Sequence, residues 1–168
     1  MKKSRFIAVI MLAAIVFTFV SCEKKDPYAN LEIDVEKFAL DLRDNGKFLE
    51  ELERLDDKNV PYVYDIGTPD KIVVYAGSGA TPEEIIVAQF DDAAARSDAF
   101  KKLNDRLAAQ RKTFDDYNAQ YRPLLDNPLV TEVGKYLIYC VSDDAGASQA
   151  VLSRYTGDGA PFERGRRH

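Results

Sequence analysis

Residues 129–141 read Leu129-Val130-Thr131-Glu132-Val133-Gly134-Lys135-Tyr136-Leu137-Ile138-Tyr139-Cys140-Val141. Both ends of this segment are rich in the β-branched and aromatic residues that favour strands. The two residues Gly134-Lys135 separate the ends, and a two-residue loop that begins with glycine suits a type II′ hairpin turn. The second run, residues 136–141, is apolar at every position. We therefore expect a hairpin whose second strand is covered on both faces.

A second pair of strand-like runs precedes this hairpin. The runs are Lys71-Ile72-Val73-Val74-Tyr75-Ala76 and Glu84-Ile85-Ile86-Val87-Ala88-Gln89-Phe90. The residues between them end in Thr81-Pro82-Glu83. This string is typical of a helix start, with a capping threonine, proline at the first position and an acid in the first turn. The β-branched residues that follow favour a strand instead. We expect one helical turn that opens into a strand, with a helix over 82–90 as the alternative.

Helical periodicity surrounds the two hairpins. Asp91-Asp92 caps a long helix, whose apolar residues recur at helical spacing as far as Tyr117. Asp143 or Asp144 can cap a last helix, which ends at Gly157. Towards the N-terminus the stripe is Leu31, Val35, Phe38, Leu42, Phe48, Leu49, Leu52 and Leu55. It predicts two helices, or one broken helix, over about 32–55. Residues 56–66 suit either a short strand or a helical turn with Pro61 in its first position.

These elements predict an α+β fold. Its centre is a four-stranded antiparallel sheet from two hairpins in ββα-ββα order, with N-terminal helices. The long and last helices would cover one face of the sheet, and the N-terminal helices would cover the other. We divide the chain into a signal segment (1–21), a tether (22–30), a single domain (31–157) and a tail (158–168) that we expect to be mobile.

The first 22 residues have the order of a secretory signal. Met1 to Arg5 is basic, Phe6 to Val20 is uncharged and almost wholly apolar, and Ser21-Cys22 follows. A cysteine after a small residue resembles the lipobox of bacterial lipoprotein precursors. The resemblance implies cleavage before Cys22 and lipidation of its sulfur, and hence a protein held at the extracytoplasmic face of the cell membrane.

Two other interpretations of this segment stay open. Phe19 stands where a lipobox usually has leucine or another aliphatic residue, so plain secretion is one of them. An uncleaved membrane anchor is the other, although the apolar run has about 15 residues and a spanning helix needs roughly 20.

Composition excludes several functional classes. The formal net charge is −5, and residues 1–21 carry three basic and no acidic residues, so the chain without them carries −8. Such an acidic chain is unsuited to nucleic acid. The chain has two cysteines and one histidine, His168. With Cys22 assigned to lipid, Cys140 has no disulfide partner, and we expect no metal site and no cofactor.

Several strings resemble one known family. They are the residues from Ser78 to Ile85, Leu107 to Tyr117, Val133 to Leu137, and Val141 to Ala145. In their order and spacing they resemble the family called domain of unknown function 4358, over about Leu31 to Tyr155. The resemblance implies a single domain in a bacterial lipoprotein setting, and it carries over no active site.

The sequence contains no arrangement typical of a catalytic site. No histidine inside the chain could activate a serine, and the acidic pairs Glu83-Glu84, Asp91-Asp92 and Asp143-Asp144 are typical of helix starts. We therefore expect a non-enzymatic binding or scaffold module, with a small envelope hydrolase built on carboxylates as the alternative.

The loop between the first two strands is the best candidate for contact with an envelope protein or a small ligand. Its residues are Gly77, Ser78, Gly79, Ala80 and Thr81. Small side chains leave the backbone open to close approach by a partner. A plain flexible turn is the other interpretation of this loop.

Overall fold

The structure is a computed structural model that describes residues 26–157. The predicted signal segment (1–21), Cys22 and the predicted tail (158–168) lie outside the described residues. The helices and strands are α1 (Val35–Asn45), β1 (Glu53–Arg54), α2 (Val60–Val63), β2 (Lys71–Ala76), β3 (Glu84–Gln89), α3 (Ala93–Tyr117), β4 (Leu129–Val133), β5 (Tyr136–Val141) and α4 (Ala145–Thr156). Two 3₁₀ segments, Asp57–Asn59 and Ala119–Leu125, complete them.

The sheet is antiparallel throughout, in the order β1-β2-β3-β5-β4. The predicted α+β class is confirmed, but the prediction of four strands is wrong because residues 26–157 form five. The additional strand, β1, pairs Glu53 and Arg54 with Ala76 and Tyr75. Two charged residues have no strand propensity of their own, so this strand exists only through its hydrogen bonds to β2.

The second predicted N-terminal helix does not form. The N–H of Gly46 ends α1 by bonding to the carbonyl of Leu42, and Lys47 then adopts a left-handed backbone conformation with φ 57°. From there to β1 the chain is irregular. Leu52 is buried against the α1 side of the sheet. Phe48 and Leu52 of the predicted apolar stripe therefore pack on the α1 side of the sheet from an irregular segment, whereas Leu49 is exposed.

Helices cover both faces of the sheet. The side chains of Tyr136, Ile138 and Cys140 point towards α1 and α4, and those that alternate with them on β5 point towards α3. All six residues of β5 are buried, which confirms the predicted covering of both faces.

The predicted placement of the long and last helices on one face is wrong. Helix α3 packs on one face through Leu103 and Leu107, whereas α4 packs beside α1 on the other. The rings of Phe38 and Tyr155 join α1 to α4 with centroids 4.6 Å apart. The face that each helix occupies depends on its packing against distant parts of the chain, which the local sequence does not specify.

The two ambiguous segments have clear structures. Residues 57–63 are helical, and Pro61 lies in the first turn of α2, as one of the alternatives predicted. Thr81-Pro82-Glu83 forms no helical turn, so that prediction is wrong, whereas the predicted strand after it is present as β3. The Thr81 hydroxyl and the Glu83 carboxylate bond to the 49–50 segment and so do not cap a helix.

The predicted caps of the other two helices are confirmed. The Asp92 carboxylate accepts hydrogen bonds from the N–H groups of Ala94 and Ala95 at the start of α3. Asp144 caps α4 in the same way, and Gly157 ends it with φ 82°. Within residues 26–157, no helix is long and apolar enough to cross a membrane.

The β4–β5 turn is fixed by one glycine. Val133 pairs with Tyr136, so Gly134-Lys135 is the two-residue loop, and Gly134 has φ 55°. A Cβ atom at Gly134 would lie 2.3 Å from the carbonyl oxygen of Tyr28. The turn therefore requires glycine for its backbone conformation and for the close approach of the N-terminal segment.

Replacing this glycine should destabilise the domain. We expect Gly134→Ala to lower the free energy of unfolding by more than about 1 kcal/mol, because positive φ and the contact with Tyr28 both oppose a side chain. Gly67→Ala is the matched control, since Gly67 has φ 77° but open space around it. Equal melting temperatures for the two variants would show that the contact with Tyr28 contributes nothing.

Candidate functional site

The Gly77–Thr81 loop is held by a carboxylate from a distant part of the chain. Glu50 accepts hydrogen bonds from the Ser78 N–H at 3.1 Å, the Ser78 hydroxyl at 2.7 Å and the Thr81 hydroxyl at 2.6 Å. A Cβ atom at Gly77 would lie 2.2 Å from the nearer Glu50 oxygen, so glycine is needed where this carboxylate sits. The loop is therefore an ordered structure built around Glu50.

The other small residues of the loop stay accessible. Ser78, Gly79 and Ala80 are exposed, and Gly79 has φ 89° with open space where a side chain would begin. The side-chain amide of Asn118, just after α3, donates to the carbonyl oxygen of Ala80 at 3.0 Å. The loop thus presents open backbone on a rigid support.

Glu83 is a second carboxylate beside the loop, and it is only 2% exposed. Its oxygens accept the N–H of Leu49 at 2.9 and 3.0 Å and the N–H of Glu50 at 3.3 Å. The Thr81 hydroxyl lies 3.2 Å from Glu83 and 2.6 Å from Glu50, so the two carboxylates share one hydroxyl. Sequence reasoning missed Glu50 altogether, because nothing in its local pattern marks a contact with residues 28–31 positions away.

The two carboxylates have pKa values displaced in opposite directions. Hydrogen bonds from the hydroxyls of Thr81 and Ser78 lower the pKa of Glu50 below its ordinary value of 4.5. Burial raises the pKa of Glu83, against the opposing hydrogen bonds from Leu49 and Thr81. Two carboxyl groups whose pKa values are displaced in opposite directions are a pattern also found in acid–base pairs.

Glu84 follows Glu83 but points to the opposite face of the sheet. Its oxygens accept the Tyr64 hydroxyl at 2.6 Å, the Arg106 guanidinium at 2.9 and 3.0 Å and the Gln110 amide at 3.0 Å. The Tyr139 hydroxyl donates to Gln110 at 2.8 Å. Each carboxylate oxygen already has two donors, so this buried network joins α2 and α3 to the sheet and leaves no acceptor for a substrate.

The prediction that Glu83 and Glu84 are helix-start acids is therefore wrong. Both are buried, at 2% and 3% exposure, and both bond to residues far away in the chain. They also do not converge, because successive residues of a strand point to opposite faces. Burial of the carboxyl groups was invisible in a sequence where the same two acids fit a helix N-terminus.

Two large exposed side chains are next in the chain to the residues that hold the loop. Leu49 is 53% exposed beside Glu50, and Tyr117 is 87% exposed at the end of α3, next to Asn118. We call this part of the molecule the loop end: the Gly77–Thr81 loop, Leu49, Glu50 and Tyr117. The hairpin end is the opposite end of the sheet, with Gly134-Lys135 and the Tyr28 segment.

No metal or thiol chemistry is indicated in the part of the chain that the structure describes. Residues 26–157 contain no group of three or more His, Cys, Asp or Glu side chains that could hold a metal ion. Cys140 is fully buried, its sulfur lies 3.4 Å from the Ser148 hydroxyl, and burial raises the pKa of its thiol to about 12. Such a thiol is not a nucleophile at neutral pH.

Comparison with known proteins gives one match. The model of the family described as Domain of unknown function (DUF4358) matches residues 45–142, which include Glu50, the loop and strands β1 to β5. No curated protein and no solved structure matches the chain.

The displaced pKa values of the two carboxylates predict opposite effects of pH on stability. The pKa of Glu83 is raised in the folded chain, so above pH 4.5 the folded chain binds more protons at this residue than the unfolded chain does. Its contribution to stability is therefore lost as pH rises from 4.5 through the pKa of the folded chain. Glu50, with a lowered pKa, contributes stability above pH 4.5 that is lost as pH falls through its folded pKa.

Chemical denaturation across pH 3–8 measures both effects. We expect Glu83→Gln to flatten the slope above about pH 4.5 and Glu50→Gln to flatten the slope below it, so that each variant is the control for the other. Identical profiles for the wild type and Glu83→Gln would contradict the displaced pKa of Glu83.

Proposed function

The chain belongs to the family Domain of unknown function (DUF4358), and we propose that it is a lipid-anchored extracytoplasmic module that binds a partner at the cell envelope through its loop end. The anchor rests on the sequence of residues 1–22, with its basic start, its apolar run and Cys22 after Ser21. One acyl chain holds a protein only marginally, and the two or three chains of a lipoprotein cysteine hold it stably.

The observation that carries this proposal is the position of the N-terminal segment relative to the loop. Asp26 is four residues after Cys22, so that short stretch reaches at most about 14 Å. Tyr28 contacts the β4–β5 turn, at the hairpin end. Strands β2 and β3 run the length of the sheet, about 20 Å, to the Gly77–Thr81 loop. An anchor at Cys22 would therefore keep the hairpin end near the membrane and direct the loop end away from it.

The loop end has the properties of a contact surface. Its backbone is open at Ser78, Gly79 and Ala80, and its conformation is fixed by Glu50 and by Asn118. A fixed loop loses little entropy on binding. The exposed side chains of Leu49 and Tyr117 add apolar area beside it, and tyrosine is enriched in interfaces.

A small carboxylate hydrolase is the second candidate, and one observation favours it. Glu50 and Glu83 share the Thr81 hydroxyl and have pKa values displaced in opposite directions. Against it, Glu83 is buried and its oxygens are occupied by backbone N–H groups. Loss of a hydrolytic activity in Glu83→Gln, with the fold and partner binding intact, would favour the enzyme over the binding module.

Lipidation is tested by removing the cysteine. We expect Cys22→Ala to abolish incorporation of a fatty-acid analogue in the native host, because no other residue offers the lipobox sulfur. Cys140→Ala is the matched control and should keep the label, since Cys140 is buried in the domain. Equal labelling of Cys22→Ala and the wild type would eliminate the proposed anchor.

Binding at the loop end is tested by adding bulk. We expect Gly79→Trp to keep the fold and the anchor but to lose most of the envelope proteins that co-purify with the solubilised wild type, because the added ring covers the open backbone. Gly67→Trp is the control: it also has positive φ and open space, but it lies before β2, away from the loop. Recovery of the same proteins with both variants would place the binding surface elsewhere.

A further inference from the structure

Strand β4 forms one edge of the sheet, and the two edges differ. The edge strand β1 has two residues, whereas β4 has five, from Leu129 to Val133. Short edge strands offer little to a foreign strand. A regular five-residue edge without proline in it is long enough to take another strand by backbone pairing.

The register determines which groups of β4 face outwards. The Phe90 N–H donates to the Lys135 carbonyl at 2.9 Å, so residue 135 bonds to the β3 side. Because the direction of the backbone groups alternates along a strand, the odd-numbered residues of β5 bond to β3 and the even-numbered residues bond to β4. On β4, the partners of those even-numbered residues are Leu129, Thr131 and Val133. The N–H and C=O groups of Val130 and Glu132 therefore point away from the sheet.

These outward groups have almost no partners of their own. Among residues 26–157, no hydrogen bond joins the N–H of Val130 or Glu132 to another element, and residues 130–132 are half-buried. The Glu132 carbonyl accepts only the Thr131 hydroxyl, at 3.3 Å. Charged side chains often guard such an edge, but here the Glu132 carboxylate is bonded to Arg96 at 2.8 Å and lies back on the α3 face.

We propose that β4 accepts, by strand addition, an extended segment of another envelope protein. The proposal goes beyond the loop-end binding proposed above, because it adds a second contact region, and it rests on the proposed anchor for its choice of partner. Two donors and two acceptors two residues apart, about 7 Å along the strand, match the backbone of an extended chain.

A second copy of this chain is the less suitable occupant. Antiparallel self-pairing centred on Thr131 would run the two β4 strands in opposite directions. The hairpin ends of the two copies would then lie at opposite ends of the joined strands. The segments that follow Cys22 would lie there too, because they contact the hairpin ends. Two chains that stand upright on one membrane cannot pair in this way, so the occupant is a strand from a different protein.

The side chains beside the edge define the chemistry of that strand. Leu129, Thr131 and Val133 lie on the α4 side, and Val130 and the Glu132–Arg96 pair lie on the α3 side. A neutral strand of threonine and valine suits both sides, since β-branched neighbours pair favourably across strands. Because Glu132 is already paired with Arg96, no charged residue is required opposite it.

Hydrogen exchange measured by NMR tests the proposal on the chain 22–168 with Cys22→Ser. The probe is a capped peptide of alternating threonine and valine, five residues long with a lysine at each end. Without it, we expect the amides of Val130 and Glu132 to exchange at least about tenfold faster than those of Thr131 and Val133. With it, their exchange should slow by about tenfold or more.

Two controls isolate the backbone pairing. Two further peptides carry N-methyl groups on alternate residues, one on the odd positions and one on the even positions. The peptide whose methyl groups block the N–H groups that pair with β4 should no longer slow the exchange of the Val130 and Glu132 amides. Val130→Pro removes one outward N–H and keeps every bond to β5, so it should abolish binding, whereas Val130→Thr should not. The methylated peptides act on the wild-type edge, so they decide the question even where Val130→Pro does not fold.

Three results would overturn the proposal. The first is equal binding of both methylated peptides, and the second is no slowing of exchange by the unmethylated peptide at millimolar concentration. The third is slow exchange of the Val130 and Glu132 amides without any peptide, in a chain that sediments as a dimer. The last would assign the edge to a second copy. None of them bears on fatty-acid labelling at Cys22, so failure here and failure of the anchor are separate results.

Discussion

The complete burial of strand β5 determines the layered architecture of the domain. Its six residues are all buried, so each face of the sheet must be covered by other parts of the chain. Helices α1 and α4 cover one face and α2 and α3 cover the other, each against side chains that alternate along the same strand. A sheet with one open face would leave half of these apolar and aromatic side chains in water, at roughly 1.5–3 kcal/mol for each large one.

The buried carboxylates connect the two layers of helices to the candidate site. Glu83 and Glu84 are neighbours at the start of β3, and they bond in opposite directions. Glu84 holds α2 and α3 through Tyr64 and Arg106, and Glu83 holds the segment that carries Glu50 to the loop. The geometry of the Gly77–Thr81 loop therefore depends on how one buried carboxyl group, that of Glu83, is satisfied inside the protein.

The direction of the strands separates two ends of the sheet and leaves one edge strand open. The turn at Gly134 contacts the segment that follows Cys22 in the chain, and the loop with Glu50 lies across the length of the sheet. Because β4 follows α3 and pairs only with β5, it stays at the edge. The proposed anchor, the proposed contact surface and the proposed strand-addition edge are therefore three separate regions, each tied to a different part of the sheet.

The local features of the fold could be predicted from the sequence. Residues 129–141 specified a hairpin with its turn at Gly134, Asp92 and Asp144 specified helix starts, and the unbroken apolar run of β5 specified a strand covered on both faces. Hydrophobic period, turn chemistry and caps depend on residues a few positions apart, so they can be inferred without a fold.

Features that depend on residues far apart in the chain could not be predicted from local patterns. Glu53 and Arg54 became a strand because β2 lies beside them. Helices α3 and α4 lie on opposite faces of the sheet, with α4 packed against α1. Glu50 reached the loop, and Glu83 became a buried acceptor, through contacts between residues about 30 positions apart. Such contacts are selected by the packing of the whole chain, and no local pattern encodes them.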